Sequence, residues 1–229
     1  MRAMLRIFRS LYVDGKASDI PPLEAVSVYT EFPELMPSGE DGTTAAINFS
    51  DSLVDMDLLQ RAAETLEALL AKNAVEGTEV TRIGARLASI YLLDNRPNDA
   101  ISILQRSNRE GISGALENER RLLRARALSQ LDMNDQAIAT LNDMNTRNAV
   151  RLKADIYWRS GQWNNAASSL IRLIPPSTTE EVTPEEAGYI LNVAVALKLA
   201  GETNALSAFR EKYTPLMQTT VLANSFAGY

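Results

Sequence analysis

The stretch Asn148–Ile174, NAVRLKADIYWRSGQWNNAASSLIRLI, holds two short helical patterns around one turn. Val150, Ala154, Tyr157 and Trp158 recur at three- and four-residue spacing, Gly161 breaks the run, and Ala166, Leu170 and Leu173 resume it. This spacing predicts a helix hairpin. A hairpin of this size cannot bury both of its apolar faces alone, so the rest of the chain is expected to supply similar neighbours stacked beside it.

The copies are present. Ala154 is followed after three residues by Tyr157, after four by Gly161, after five by Ala166 and after four by Leu170. The same order gives Ala88, Tyr91, Asn95, Ala100 and Leu104, and again Ala125, Leu128, Asp132, Ala137 and Leu141. A later copy, Ala194, Leu197, Gly201, Ala205 and Phe209, reads with a turn one residue shorter, and an earlier worn copy reads Ser50, Leu53, Asp57, Ala62 and Leu66. The physical sense is direct: a small residue on each helix lets the backbones approach, a larger apolar residue fills the gap, and a turn former reverses the chain.

This pattern resembles the tetratricopeptide repeat, a helix–turn–helix unit of about 34 residues, and Gly161, Trp163 and Ala166 match its turn and second-helix signature. The resemblance covers roughly Thr43 to Tyr213. It implies an all-α fold, a right-handed α-solenoid of TPR-like hairpins over residues 43–214. Residues 1–42 are then N-terminal helices and a loop that pack on the solenoid and cap its end, and residues 215–229 are a C-terminal tail or short helix. The second-helix alanines Ala62, Ala100, Ala137, Ala166 and Ala205 are separated by 38, 37, 29 and 39 residues, which predicts an irregular superhelix. Only Gly161 and Gly201 supply the family's turn glycine. The whole chain is similar, more loosely, to the C-terminal region of large tetratricopeptide-repeat proteins of proteobacteria, which implies a fragment or a short relative.

In that family the first helices of the repeats present the ligand-carrying concave face. By register this face is expected to include Arg82, Arg86 and Ser89, then Leu122, Arg126 and Ser129. Arg151, Asp155, Trp158 and Arg159 follow, and then Leu191, Val195 and Lys198. The function implied is a non-enzymatic protein–protein interaction scaffold that holds a partner peptide or domain in this groove. Arg and Trp are enriched at binding hot spots and Arg clamps carboxylates in a bidentate fork, so the expected partner carries acidic and apolar residues. A second reading stays open: the arginines are solvated or paired with local acids, as Arg151 with Asp155 at i,i+4 spacing, and Trp158 is spent on packing. The chaperone-binding subclass grips a terminal carboxylate with Asn and Lys. The corresponding positions here hold Ser89, Arg126 and Asp155, which do not match.

Composition narrows the alternatives. The 229 residues are 45% hydrophobic and 23% charged, an ordinary globular balance. Without Cys or His the chain has no thiolate or imidazole chemistry, and no Walker-type or dinucleotide glycine motif is present, so no catalytic, cofactor or metal site is expected. Glu180-Glu181 and Glu185-Glu186 read as solvated loop and helix-start charges. A net charge of −6 argues against nucleic-acid binding driven by phosphate contacts. No apolar run is long enough for a membrane span, and the compartment is open between cytoplasm and periplasm.

Residues 1–13 place Met4, Leu5, Phe8, Leu11 and Tyr12 on one stripe of a basic amphipathic helix, with Arg2, Arg6 and Arg9 outside it. It reads either as a helix docked on the following domain or as a membrane-surface adaptor. It is a poor secretory signal, because Arg6 and Arg9 interrupt the apolar core, so export would need a signal outside this chain. Further along, a helix is expected from Pro22 to Thr30 and a loop from Phe32 to Gly42. A polar loop is expected from Pro175 to Thr183, ended by a capping box at Thr183 and Glu186.

Overall fold

Every hairpin reverses through the same backbone device. In the computed structural model, which describes residues 2–35, 37, 39–71, 75–174 and 182–228, the turn residues Asp57, Asn95, Asp132, Gly161 and Gly201 take φ values of 60°, 54°, 59°, 71° and 74°. The next helix begins two residues later in each case, at Leu59, Pro97, Asn134, Trp163 and Thr203. At Asn95, Gly161 and Gly201 a Schellman pair closes the preceding helix, with Arg96 N–H on Tyr91 O at 2.7 Å, Gln162 N–H on Tyr157 O at 2.8 Å and Glu202 N–H on Leu197 O at 2.9 Å. Leu58 N–H on Leu53 O repeats it at Asp57. Asp and Asn occupy left-handed backbone more readily than other side chains, so three of these turns dispense with glycine at modest cost.

The residue five beyond each turn is buried: Ala62, Ala100, Ala137, Ala166 and Leu206. The last of these corrects the sequence register. Ala205 is exposed, and the turn at Gly201 is as long as the others, with Leu206 where the other copies have a small residue.

By its Cα packing the chain forms two compact units, residues 1–130 and 131–229, and the boundary falls inside the copy that runs from Ala125 to Leu141. All the described regular structure is helical. The first unit contains α1 (Arg2–Tyr12), α2 (Pro22–Glu31), α3 (Gly39–Asp55), α4 (Leu59–Ala71), α5 (Thr78–Leu93), α6 (Pro97–Arg106) and α7 (Gly114–Gln130). α1 and α2 pack on α3 through an aromatic knot in which Tyr29 stacks on Phe49 at 3.6 Å and Tyr12 meets both edge-on. The Tyr12 hydroxyl donates to the Ala25 carbonyl, and burial pushes this phenol up to about 12. Phe8 and Tyr12 are buried and Leu11 is half-buried, but Met4 and Leu5 are exposed, so the N-terminal turn of the expected stripe is uncovered. The expected loop 32–42 is shorter than predicted. A 3-10 turn at Pro33–Leu35 buries Leu35, and α3 starts at Gly39; Met36 and Ser38 lie outside the described residues.

Successive helices of the first unit then alternate, α3 against α4, α4 against α5, α5 against α6 and α6 against α7. In the worn first copy the small residue does more than permit approach. Ser50 on α3 is fully buried and its hydroxyl donates to Ala62 O on α4 at 3.1 Å.

The second unit contains α8 (Asn134–Leu141), α9 (Arg147–Arg159), α10 (Trp163–Ile171), α11 (Pro184–Leu199), α12 (Thr203–Met217) and α13 (Ala223–Ala227). Ala154 on α9 and Ala166 on α10 are both fully buried, and the two helices pack tightly. α11 starts with the expected capping box: Thr183 Oγ1 accepts from Glu186 N–H, and the Glu186 carboxylate accepts from Thr183 N–H at 2.8 Å. Of the expected loop before it, residues 175–181 lie outside the described residues. α12 runs through Pro215 to the buried Met217. A proline one turn from a helix end forfeits one hydrogen bond, and burying Met217 offsets that loss. The tail is a short helix, docked by the buried Phe226.

Candidate functional site

The first helices of three hairpins, α3, α5 and α7, border an open groove of about 820 Å³ in the first unit. α5 contributes Thr78, Arg82, Arg86, Ser89, Ile90 and Leu93, four residues apart or fewer, which is the spacing of one helical face. The rest comes from α3, with Asp51 and Val54, from the loop before α7, with Gly111 and Ser113, and from the start of α7, with Ala115, Leu116 and Glu119. The predicted positions Arg82, Arg86 and Ser89 therefore do line one surface. Ile90, Leu116 and Val54 form its apolar floor, and Leu93 stands 61% exposed at the rim. An exposed leucine beside a depression is a natural anchor point for a partner's apolar side chain.

The electrostatics differ from an arginine-rich groove. Arg86 forks onto Asp51 of α3, with Nε at 2.6 Å from Oδ1 and a second contact through Nη2, and Arg82 donates to Glu79 at 2.6 Å. Counting Asp51, Glu119 and these two arginines, the groove wall is balanced. Besides local pairs such as Arg82 with Glu79, several ion pairs link two different helices. Arg9 of α1 reaches Asp41 of α3, and Arg86 of α5 reaches Asp51 of α3. In the second unit Arg147 and Arg151 of α9 lie 3.9 and 3.7 Å from Glu185 of α11. Each such exposed pair is worth about 0–1 kcal/mol, so they tune register more than they hold the fold.

On α7, Arg126 is exposed, whereas Leu122 is half-buried and Ser129 is buried at 4% exposure, so Ser129 offers no ligand contact. In the second unit Arg151, Asp155 and Arg159 are exposed on α9, and Lys198 is exposed on α11 beyond the half-buried Leu191 and Val195. Arg151 meets Glu185, an acid outside its own helix. Trp158 is half-buried, stands edge-on to Trp163 at 5.4 Å and packs against the core of its unit, which commits much of its ring to the hairpin. The Tyr189 hydroxyl donates to Glu185 at 2.5 Å. This bond, assisted by Arg147 and Arg151, holds the Glu185 carboxyl below the usual range, and burial with the same bond raises Tyr189.

Sequence reading missed two buried cations. Arg120 on α7 is 7% exposed, and among the described residues no carboxylate hydrogen-bonds to it, Glu119 acting on it only through its field. Its guanidinium donates to Thr81 O at 3.0 Å, to Ser107 Oγ at 3.1 Å and to Leu104 O near the end of α6, and burial lowers its pKa. Lys153 on α9, 8% exposed, donates to Asn142 O and Met144 O just beyond α8 at 3.2 and 3.1 Å. Both satisfy carbonyls that a helix end leaves open and set positive charge at the negative end of its dipole. A sequence signal existed at one of them. Gly84 faces this junction, and a Cβ there would overlap Ser107, so its place inside a helix marks a close approach.

Among the described residues no helix is long and apolar enough to cross a membrane. No protein-family model matches the chain, and no curated protein or solved structure matches it.

Proposed function

We propose that this chain is a non-enzymatic interaction scaffold of the tetratricopeptide kind, a right-handed stack of hairpins that receives an extended or helical segment of a partner protein across its first helices. The observation that carries the reading is the groove on α3, α5 and α7, with its apolar floor, the exposed Leu93 and the arginines at 82 and 86. The repeated turn geometry at Asp57, Asn95, Asp132, Gly161 and Gly201 supports the repeat family, because each copy reverses through a residue in the left-handed region. The partner segment brings an apolar anchor to Leu93 and an acidic residue that competes with Asp51 or Glu79 for Arg86 or Arg82. Exchange of one carboxylate for another keeps the charge balance, so specificity comes from shape and register and the net electrostatic gain is small. Selection of displayed peptides against the protein tests this. Enriched peptides should share an acid and an apolar residue and should bind at least about tenfold more weakly to an Arg86→Glu/Leu93→Asp variant of unchanged helicity. No enrichment, or equal binding to the variant, refutes it.

One observation favours a second reading. Met4, Leu5 and Ile7 are exposed on α1, Ile7 at 59%, beside the exposed Arg6. An uncovered apolar turn flanked by arginine suits a membrane-surface adaptor. Salt-sensitive flotation with anionic liposomes, lost in an Ile7→Asp/Arg6→Glu variant, would favour that reading over the groove.

A further inference from the structure

On another face of α7, turned away from the groove, a cavity of about 670 Å³ opens between α6, α7 and the loop that joins them. Four arginines, 109, 120, 121 and 124, line it against two acids, Glu110 and Glu117, in a chain whose net charge is −6. Arg109 donates to the main-chain carbonyls of Arg106 and Asn108 at 3.0 and 2.8 Å. Arg120, at the back, meets only carbonyls and a hydroxyl. Neutral oxygens satisfy these guanidinium hydrogens, and the four arginines of the lining outnumber its two acids, so the cavity wall carries a net positive charge. Arg124 is exposed.

We propose that this cavity binds a small oxyanion, a molecule carrying phosphoryl or several carboxylate groups, clamped between Arg109 and Arg124 with the Arg120 charge behind them. The planar fork of arginine matches both kinds of oxyanion. The rest of the ligand is aliphatic or polyol in character, since Ile101, Leu104 and Ile112 provide an apolar wall and no aromatic ring is available to stack a nucleobase. The site shares only Gly111 with the groove and does not rest on the partner that the groove is proposed to bind.

Calorimetric titration of the full chain with inorganic pyrophosphate and, separately, with citrate distinguishes the two sources of negative charge. Saturable, salt-sensitive binding of either supports the site, and the preferred probe names the ligand class. An Arg109→Ala/Arg124→Ala variant should bind about tenfold more weakly. A Glu110→Gln/Glu117→Gln variant, which leaves every arginine in place, should bind more tightly, and it serves should the arginine variant lose helicity. Failure of both probes at millimolar concentration, unchanged binding in the arginine variant, or no tightening in the glutamine variant overturns the proposal.

Discussion

Removing Arg120 should expose how the first unit holds α5, α6 and α7 together. Its guanidinium, carried by α7, reaches α5 at Thr81 O and the end of α6 at Leu104 O and Ser107 Oγ. Ser107 keeps a bond without it, since its hydroxyl donates to Ile103 O at 2.6 Å. Leu104 O lies in the last turn of α6, and Asn108 N–H donates to Gln105 O instead of to it, so loss of Arg120 orphans that carbonyl in a buried site. Arg120→Met keeps the aliphatic stem and removes the donors; an unsatisfied buried carbonyl costs about 1–3 kcal/mol. Arg120→Ala adds a cavity and should cost about 2–5 kcal/mol. Relief of the buried charge's desolvation opposes both losses, and the orphaned carbonyl is expected to outweigh it. Urea denaturation followed by circular dichroism should give midpoints in the order wild type, Met, Ala. A methionine variant as stable as wild type, or more stable, would show that Arg120 is tolerated and not a clamp.

Gly84→Ala should destabilise the same junction by about 1–3 kcal/mol, since the new methyl overlaps Ser107, and Gly84→Ala/Ser107→Gly should recover part of the loss in thermal melts. Asp57→Gly and Asn95→Gly should each be neutral or raise stability by up to about 1 kcal/mol, because both residues hold positive φ; a clear loss in either would show that the side chain supports its turn. The Glu185 carboxyl titrates below its unfolded value, chiefly through the Tyr189 hydroxyl, so its contribution to stability is present above the unfolded pKa and is lost as pH falls through the folded one. Tyr189→Phe should move the Glu185 carboxyl upward in an NMR titration and flatten the acid limb of the stability profile, and an unmoved titration would assign the shift to Arg147 and Arg151 instead.

The hairpins were legible because their signal is local. A small residue, a turn former and an apolar partner at fixed spacing leave few alternatives, and Ala88, Ala125 and Ala154 are all fully buried. The Gly201 copy was misaligned because Ala205 has the expected small side chain one position too early. Only backbone geometry reveals that Leu206 takes the buried place. On the proposed binding face, Arg82, Arg86 and Ser89 share one side of α5, as the family resemblance and helical register together led one to expect. The pairing of Arg86 was not legible, since Asp51 lies 35 positions away and comes beside it only in the folded first unit. Arg120 and Lys153 escaped for a related reason: their partners are main-chain carbonyls at helix ends, which leave no trace in residue identity.

The most direct test of the groove reading is site-specific photocrosslinking with a peptide selected against the wild-type protein. A photoreactive residue replaces Ser89 on α5 in one variant and Gln105 on α6 in another, so that the groove and the opposite cavity are each probed once. The groove reading predicts a crosslink from position 89 that excess unlabelled peptide abolishes, with none from position 105. Crosslinking from position 105 alone, or from neither, contradicts it.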